Sequence, residues 1–253
     1  MPRIGSVPYL NARPLLEGLG KVTGEKIYLA HPASLHDAIL RGQVQVALLP
    51  VVSYLENHDL KIIPGTGIGC FGEVKSVKVF HNSSKVDLSN TERIFLDPLS
   101  KTSNRLLKVL LAKKYDRKLE EIYWASRPED ADSVLQIGDE ALRHSHFGNS
   151  QDLGLEWQEL TGLPFVFACW MTSSPITQEL LTHLHNAKMT GLQNLEEISR
   201  LQEIIDPEDA LVYLRDHIKY HVEGPDLVGL KLFFDWVVEL ENQDYDTSLR
   251  FVA

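Results

Sequence analysis

Strand-like and helix-like segments alternate along this chain, and the alternation begins a second time near residue 93. "RIGSVPYL" is followed by a short helix from Pro14, and "KIYLAHP" by "ASLHDAILRGQ", which has apolar Leu35, Ala38 and Ile39 at helical spacing. "VQVALLPVVSYL" then reads as a buried strand that breaks at Pro50. Two extended segments come next, "LKIIPGTGIGCFG" and "EVKSVKVFHNSS", before the pattern restarts with "RIFLDPLSKTSNRLLKVLLAKKY" and continues through "EEIYWAS" and "ADSVLQIGDEAL". "LPFVFACWMTSS" supplies a later extended run, and only helices are expected after it.

Alternation of this kind requires sheets covered by helices. Its restart divides the chain into a first lobe over 1–84, a second over 85–168, and a return crossover with helical completion of the first lobe over 169–253. Two lobes joined by two crossing segments make a hinged clamshell with a ligand cleft between them. The fold class expected is α/β, of the type II periplasmic-binding-protein kind, each lobe a mixed, mainly parallel sheet flanked by helices. In the tail, Asp206 before Pro207 and Asp226 after Pro225 mark helix starts. Leu230, Phe233, Phe234, Val237 and Val238 form an apolar stripe expected to pack on the first lobe.

A chain of 253 residues buries roughly 70–75% of its unfolded surface, so it folds without disulfides or metals. Its net charge of −10 works against phosphate backbones and anionic lipid surfaces, so neither nucleic acid nor membrane is an expected partner. Cys70 and Cys169 belong to no CxxC, and the first residues enter a strand without a basic or apolar leader. Both point to a reduced, cytoplasmic setting. Any anionic ligand must then be met locally by backbone amides or a single basic side chain.

"GIGCFG", residues 67–72, matches GxGxxG, but the β-branched stretch after it opens no helix, so a dinucleotide site is rejected. The glycines are read instead as a close approach of backbone to the cleft. Ten histidines invite a metal reading, yet His217 and His221 lack the Glu of HExxH, while His144 with His146 and His183 with His185 have no ligand spacing. Surface or capping roles are expected for them, with no metal and no cofactor. Ser100, Thr102 and Ser103 stand where a loop meets the N-terminus of an amphipathic helix, and with Lys101 beside them they fit a carboxylate or phosphate, or else a plain N-cap. Asp139 and Glu140 are read as capping acids, and Asn11 and Arg13 are open to a structural reading as well.

Six motifs in order, "GSVPYLNARPL", "VALLPVVSYL", "GIGCFGEVKSVKVF", "LDPLSKTSNRLLKVLL", "VLQIGDEAL" and "DLGLEWQELTGLPFVFACW", resemble the successive signatures of the chorismate dehydratases of the futalosine route to menaquinone. The resemblance spans residues 3 to about 171, with a weaker echo in "IKYHVEGPDLVGLKLFF". It implies a hydro-lyase that converts chorismate to 3-[(1-carboxyvinyl)oxy]benzoate, with Asn11 and Ser76 as the catalytic candidates. Tyr9, Arg13, Pro50, Val51, Ser100, Thr102, Ser103, Gly138 and Trp170 are expected to bind the substrate, a small dicarboxylate. Cys70 stands where relatives often have a small hydroxyl residue. Either a monomer or a homodimer fits.

The sister 1,4-dihydroxy-6-naphthoate synthases carry a catalytic histidine in the motif corresponding to "IGD", where this chain has Gly138. They and non-catalytic solute-binding proteins are the alternative readings. Neither an amide nor a serine hydroxyl is a useful base at neutral pH. The proton is therefore expected to go to the substrate's own enolpyruvyl carboxylate. Asn11 would then position the leaving hydroxyl, and Ser76 would hold or relay a proton at the same edge.

Overall fold

The structure, a computed structural model, describes residues 4–24, 26–144 and 148–252. His146 lies outside them. The first sheet contains β1 (Ile4–Ser6), β2 (Tyr28–Leu29), β3 (Val46–Pro50), β4 (Lys61–Cys70) and β10 (Phe165–Thr172), in the order β2-β1-β3-β10-β4. The second contains β5 (Val77–His81), β6 (Arg93–Phe95), β7 (Tyr123–Ala125), β8 (Ser133–Ile137) and β9 (Ser150–Asp152), in the order β7-β6-β8-β5-β9. Both sheets are mixed. In each, three neighbouring strands run parallel, and the fourth, antiparallel to both its neighbours, is the strand that brings the chain across from the other lobe.

Sheet membership moves the expected boundaries. β5 pairs with β8 and β9, so the chain has entered the second lobe by Val77, before the expected division at 84/85. β10 pairs with β3 and β4 from Phe165 onward, ahead of the expected return at 169. An extended, β-branched run such as "SVKVF" reads alike in either sheet, because its partners are remote in sequence.

The helices are α1 (Leu19–Thr23), α2 (Pro32–Leu40), α3 (Val51–Leu55), α4 (Lys101–Lys113), α5 (Gly138–Arg143), α6 (Leu153–Thr161), α7 (Gln178–Gln193), α8 (Leu195–Arg200), α9 (Pro207–Val212) and α10 (Pro225–Glu241). Asp206 caps α9 through the Glu208 amide, as its place before a proline leads one to expect. Leu230, Phe233, Phe234 and Val237 of α10 are buried. They pack on β10 and also on second-lobe helices: Trp157 of α6 meets Phe165, Phe233 and Trp236 edge-on at 5.2, 6.2 and 5.5 Å between ring centres. The terminal helix therefore ties both lobes together rather than covering the first alone.

The tail is not purely helical. Lys219 and Gly69 exchange two backbone hydrogen bonds, at 2.8 and 2.9 Å, and Ile62 bonds Arg250 and Val252 at 2.8 and 3.0 Å. These returns cover the free edge of β4. Among the described residues no helix is long and apolar enough to cross a membrane.

Candidate active site

The opening motif folds differently from the expected helix at Pro14. A 3-10 helix runs over Leu10–Leu15, with Pro14 inside it and Tyr9 as its N-cap residue. Pro14 has no amide hydrogen to carry an α-helix through this point, and the Ala12 and Leu16 amides instead close 3-10 turns onto the Tyr9 and Arg13 carbonyls at 3.0 Å. Asn11 therefore sits inside the helix, not at its cap, and its Oδ1 is buried without a partner. A buried amide oxygen left unpaired in the protein costs free energy unless a ligand supplies the hydrogen.

Ser76 comes from the crossing segment. Val74 and Lys75 donate their amides to the two carboxylate oxygens of Asp152, at 3.0 and 2.7 Å, and Lys75 is held at φ +63°. Asp152 also accepts from Gly154 and Leu155 as the N-cap of α6, so one carboxylate fixes both the strap and the helix. Burial pushes its pKa up, against the four amides that favour the charged form. Beyond the strap, Ser76 accepts the Gly138 amide through its carbonyl at 2.7 Å. That bond joins the third motif to the fifth.

A cavity between the lobes is lined by Val7, Tyr9, Asn11, Pro32, Leu48, Pro50, Ile68, Val74, Ser76, Val77, Leu99, Ser100, Thr102, Ser103, Ile137, Gly138, Phe167 and Ala168. Of the expected site residues it collects Tyr9, Asn11, Pro50, Ser76, Ser100, Thr102, Ser103 and Gly138. Three are not brought to its wall. With three residues per turn, the 3-10 helix puts Asn11 and Pro14 on one face and Leu10 and Arg13 on another. Val51 is buried as the first residue of α3. Trp170 pairs with Leu48 but lies one pleat beyond Ala168, where the wall ends, and its Nε1 is buried without an acceptor.

At the other end stands the N-terminus of α4. Ser100 caps it, its Oγ accepting the Ser103 amide at 3.2 Å and donating to the Ser103 hydroxyl at 2.8 Å. Thr102 Oγ1 accepts from the Val52 amide of α3 at 3.4 Å, a bond between lobes. The amides of Lys101 and Thr102 have no carbonyl within their own helix to bond, so the end remains electropositive. Lys101 itself turns away to Glu56, at 2.7 Å.

Asp139 caps a helix, but not its own. Its Oδ1 accepts the Leu10 amide of the 3-10 helix across the cleft at 2.9 Å. Burial raises its pKa, as it does that of Asp97, and Tyr9 is raised by burial first and then by both carboxylates. Gly138 has φ +62°, and a Cβ there would come within 3.0 Å of the Tyr9 ring. Both the backbone conformation and the Tyr9 ring therefore disfavour a side chain at this position.

Other expectations resolve into structure. The close approach at "GIGCFG" is to β10 rather than to the cleft: a Cβ at Gly67 or Gly69 would meet the Ala168 or Phe165 carbonyl at 2.6 or 2.7 Å. Cys70 is fully buried, and burial holds its thiol well above the usual range. His217 bonds the Glu73 carbonyl, His221 the Lys188 ammonium and His144 the Gln136 amide oxygen. Among the described residues no three potential ligands are grouped for a metal ion.

One polar residue at the site was missed. Tyr213, from a single π-helical turn over Tyr213–His217, donates its hydroxyl to Ser76 Oγ at 2.9 Å. In sequence it is one more aromatic beside the apolar "ALV" of a mixed helical run, with no signal to set it apart. The apolar walls, Leu48, Ile68, Ile137 and Phe167 among them, lie inside or next to the quoted motifs and were passed over because they carry no chemistry.

Comparison with known proteins places the chain among relatives of similar sequence and fold. The chain is 31% identical to the chorismate dehydratase of Thermus thermophilus, over 91% of this chain and 93% of that one. It is 26% identical to the chorismate dehydratase of Campylobacter jejuni, over 90% and 94%. The periplasmic aliphatic sulphonate binding protein SsuA of Escherichia coli superposes with a TM-score of 0.65 at 15% identity, covering all of this chain and 92% of that one. That likeness shows the fold, a periplasmic-binding-protein clamshell, and nothing about the ligand. Residues 2–239 match the family described as menaquinone biosynthesis, and the chain belongs to that family.

Proposed function

We propose that this protein is a cytoplasmic hydro-lyase that dehydrates chorismate to 3-[(1-carboxyvinyl)oxy]benzoate. The observation that carries the reading is the pairing, in one apolar cavity, of the unpartnered Asn11 oxygen with the Ser76 hydroxyl, opposite the electropositive end of α4. A cyclohexadiene carrying two carboxylates and a hydroxyl matches that arrangement. The two relatives named chorismate dehydratase support the same substrate.

On this reading the ring carboxylate docks at the first turn of α4, beside Ser100, Thr102 and Ser103. Apolar walls hold the ring. The leaving hydroxyl donates to Asn11 Oδ1 and accepts from Ser76. The enolpyruvyl carboxylate, which is tethered next to the ring hydrogen, removes it as a proton. The C–H electron pair becomes the new ring double bond, the neighbouring C–O bond breaks, and the departing hydroxide is stabilised by Ser76. The proton held on the enolpyruvyl carboxyl completes a water molecule, so the carboxylate is regenerated. No cofactor enters the balance, and aromatisation drives the elimination.

Purified protein incubated with chorismate is expected to yield an aromatic product lighter by one water, followed by absorbance and mass. Chorismate recovered unchanged but bound to the protein would make it a receptor, and chorismate neither bound nor changed would overturn the reading.

A further inference from the structure

We propose that Tyr213 is a positioning residue, whose hydroxyl fixes the direction in which Ser76 presents its proton to the substrate; the proposal rests on the reading of function above. A serine hydroxyl has one proton and can turn it toward any acceptor in reach. Among the described residues Ser76 Oγ has two hydrogen-bond partners: the Val74 carbonyl at 3.4 Å, too long to hold the proton well, and Tyr213 Oη at 2.9 Å. If Ser76 donated to the phenol, its proton would point away from the cavity. The direction of that one bond decides whether the site has a donor.

The surroundings of Tyr213 settle the direction. Its ring is 2% exposed, and it does not line the cavity. Its hydroxyl bonds the Ser76 side chain. In that bond the phenol is the donor, so its one proton is spent on Ser76. What remains unused at the cavity is one acceptor, Asn11 Oδ1, and one donor, the Ser76 hydroxyl, the pair that a leaving hydroxyl needs. Burial holds the phenol well above its ordinary pKa, so it stays neutral and gives no proton to the substrate.

The π-turn fits the task. It is anchored on the strap that carries Ser76 by the His217 bond to the Glu73 carbonyl at 2.9 Å, and beyond it by the Lys219 pairing with Gly69. Such turns are often found at functional sites.

The test is a double-mutant cycle read as kcat and KM for chorismate, with thermal midpoints alongside. Tyr213→Phe is expected to lower kcat about tenfold or more while KM changes by less than about threefold. Added to Ser76→Ala, the same change should alter kcat by less than about twofold, because the hydroxyl that Tyr213 directs is gone. Replacing Tyr213 with 4-aminophenylalanine, which keeps a donor at that point, should restore turnover, and this arm stands even if the Phe variant folds poorly. Tyr213→Phe with wild-type kcat, losses that multiply in the double variant, or no rescue by the amine would overturn the proposal while leaving the function intact. Wild-type protein inert toward chorismate would instead overturn the functional reading, and the proposal with it.

Discussion

Asn11 and Ser76 account for the chemistry proposed for this cavity, and neither supplies its apolar walls. Asn11→Ala and Ser76→Ala should each lower kcat by about 10²–10³-fold, the usual effect of losing one placed hydrogen-bonding group, with thermal midpoints close to wild type. Steady-state assays beside thermal melts check both halves of that expectation. Gly138→Ala should cost about 1–2 kcal/mol of stability, since the residue sits at φ +62° and a methyl there presses on Tyr9. Denaturant titration measures it. Asn11 was singled out only by the resemblance in "GSVPYLNARPL", since its residue type alone also fits a structural role. Tyr213 was not, because its partner Ser76 is 137 positions away and nothing local marks the pair. The face that Arg13 takes was not legible either: the expected helix began at Pro14, and only the observed 3-10 helix sets it apart from Asn11.

Two elements do most to hold the site. The strap that carries Ser76 depends on Asp152, which accepts four amides from the strap and the start of α6. Asp152→Asn puts an N–H where amides point, and is expected to destabilise by about 1–3 kcal/mol and to lower kcat together with stability. Urea melts and turnover on the same preparation would test the coupling. The second element is α10, whose Phe233 is fully buried against Trp157 and Phe165. Phe233→Ala should cost about 3–5 kcal/mol. The α10 stripe was readable from its spacing alone, but not what it covers, since an apolar face does not name its partner. Asp139 is similar: its acid at a helix start suggested a cap, and the helix it caps belongs to the other lobe.

At the scale of the molecule, the lobes are joined by the crossing segments and by polar contacts over the cleft. Glu56 of the first lobe binds Lys101 and Arg105 of α4 at 2.7 and 3.0 Å, and Arg105 reaches on to Glu241 of α10 at 2.7 Å. Burial alone would raise the Glu56 carboxyl, but the hydrogen bonds and charges of Lys101 and Arg105 outweigh it and hold the pKa below its ordinary 4.5. A depressed carboxyl contributes stability that is complete above the unfolded value and is lost as pH falls through the folded one. The margin of wild type over Glu56→Gln should therefore be constant near neutrality and shrink below about pH 4.5, as thermal melts across pH would show. The pair is partly solvent-exposed, so the margin is modest.

The two-lobed architecture was legible because helix and strand periods alternate and then begin again. The exact crossing points were not, because β5 and β10 are buried extended runs that could serve either sheet. Most direct of all is the structure of the protein with 3-[(1-carboxyvinyl)oxy]benzoate bound. The account predicts the ring between the apolar walls, its carboxylate on the first turn of α4, and Asn11 and Ser76 facing the ring edge that lost water. A product bound elsewhere, or with those two side chains turned from it, would contradict the account.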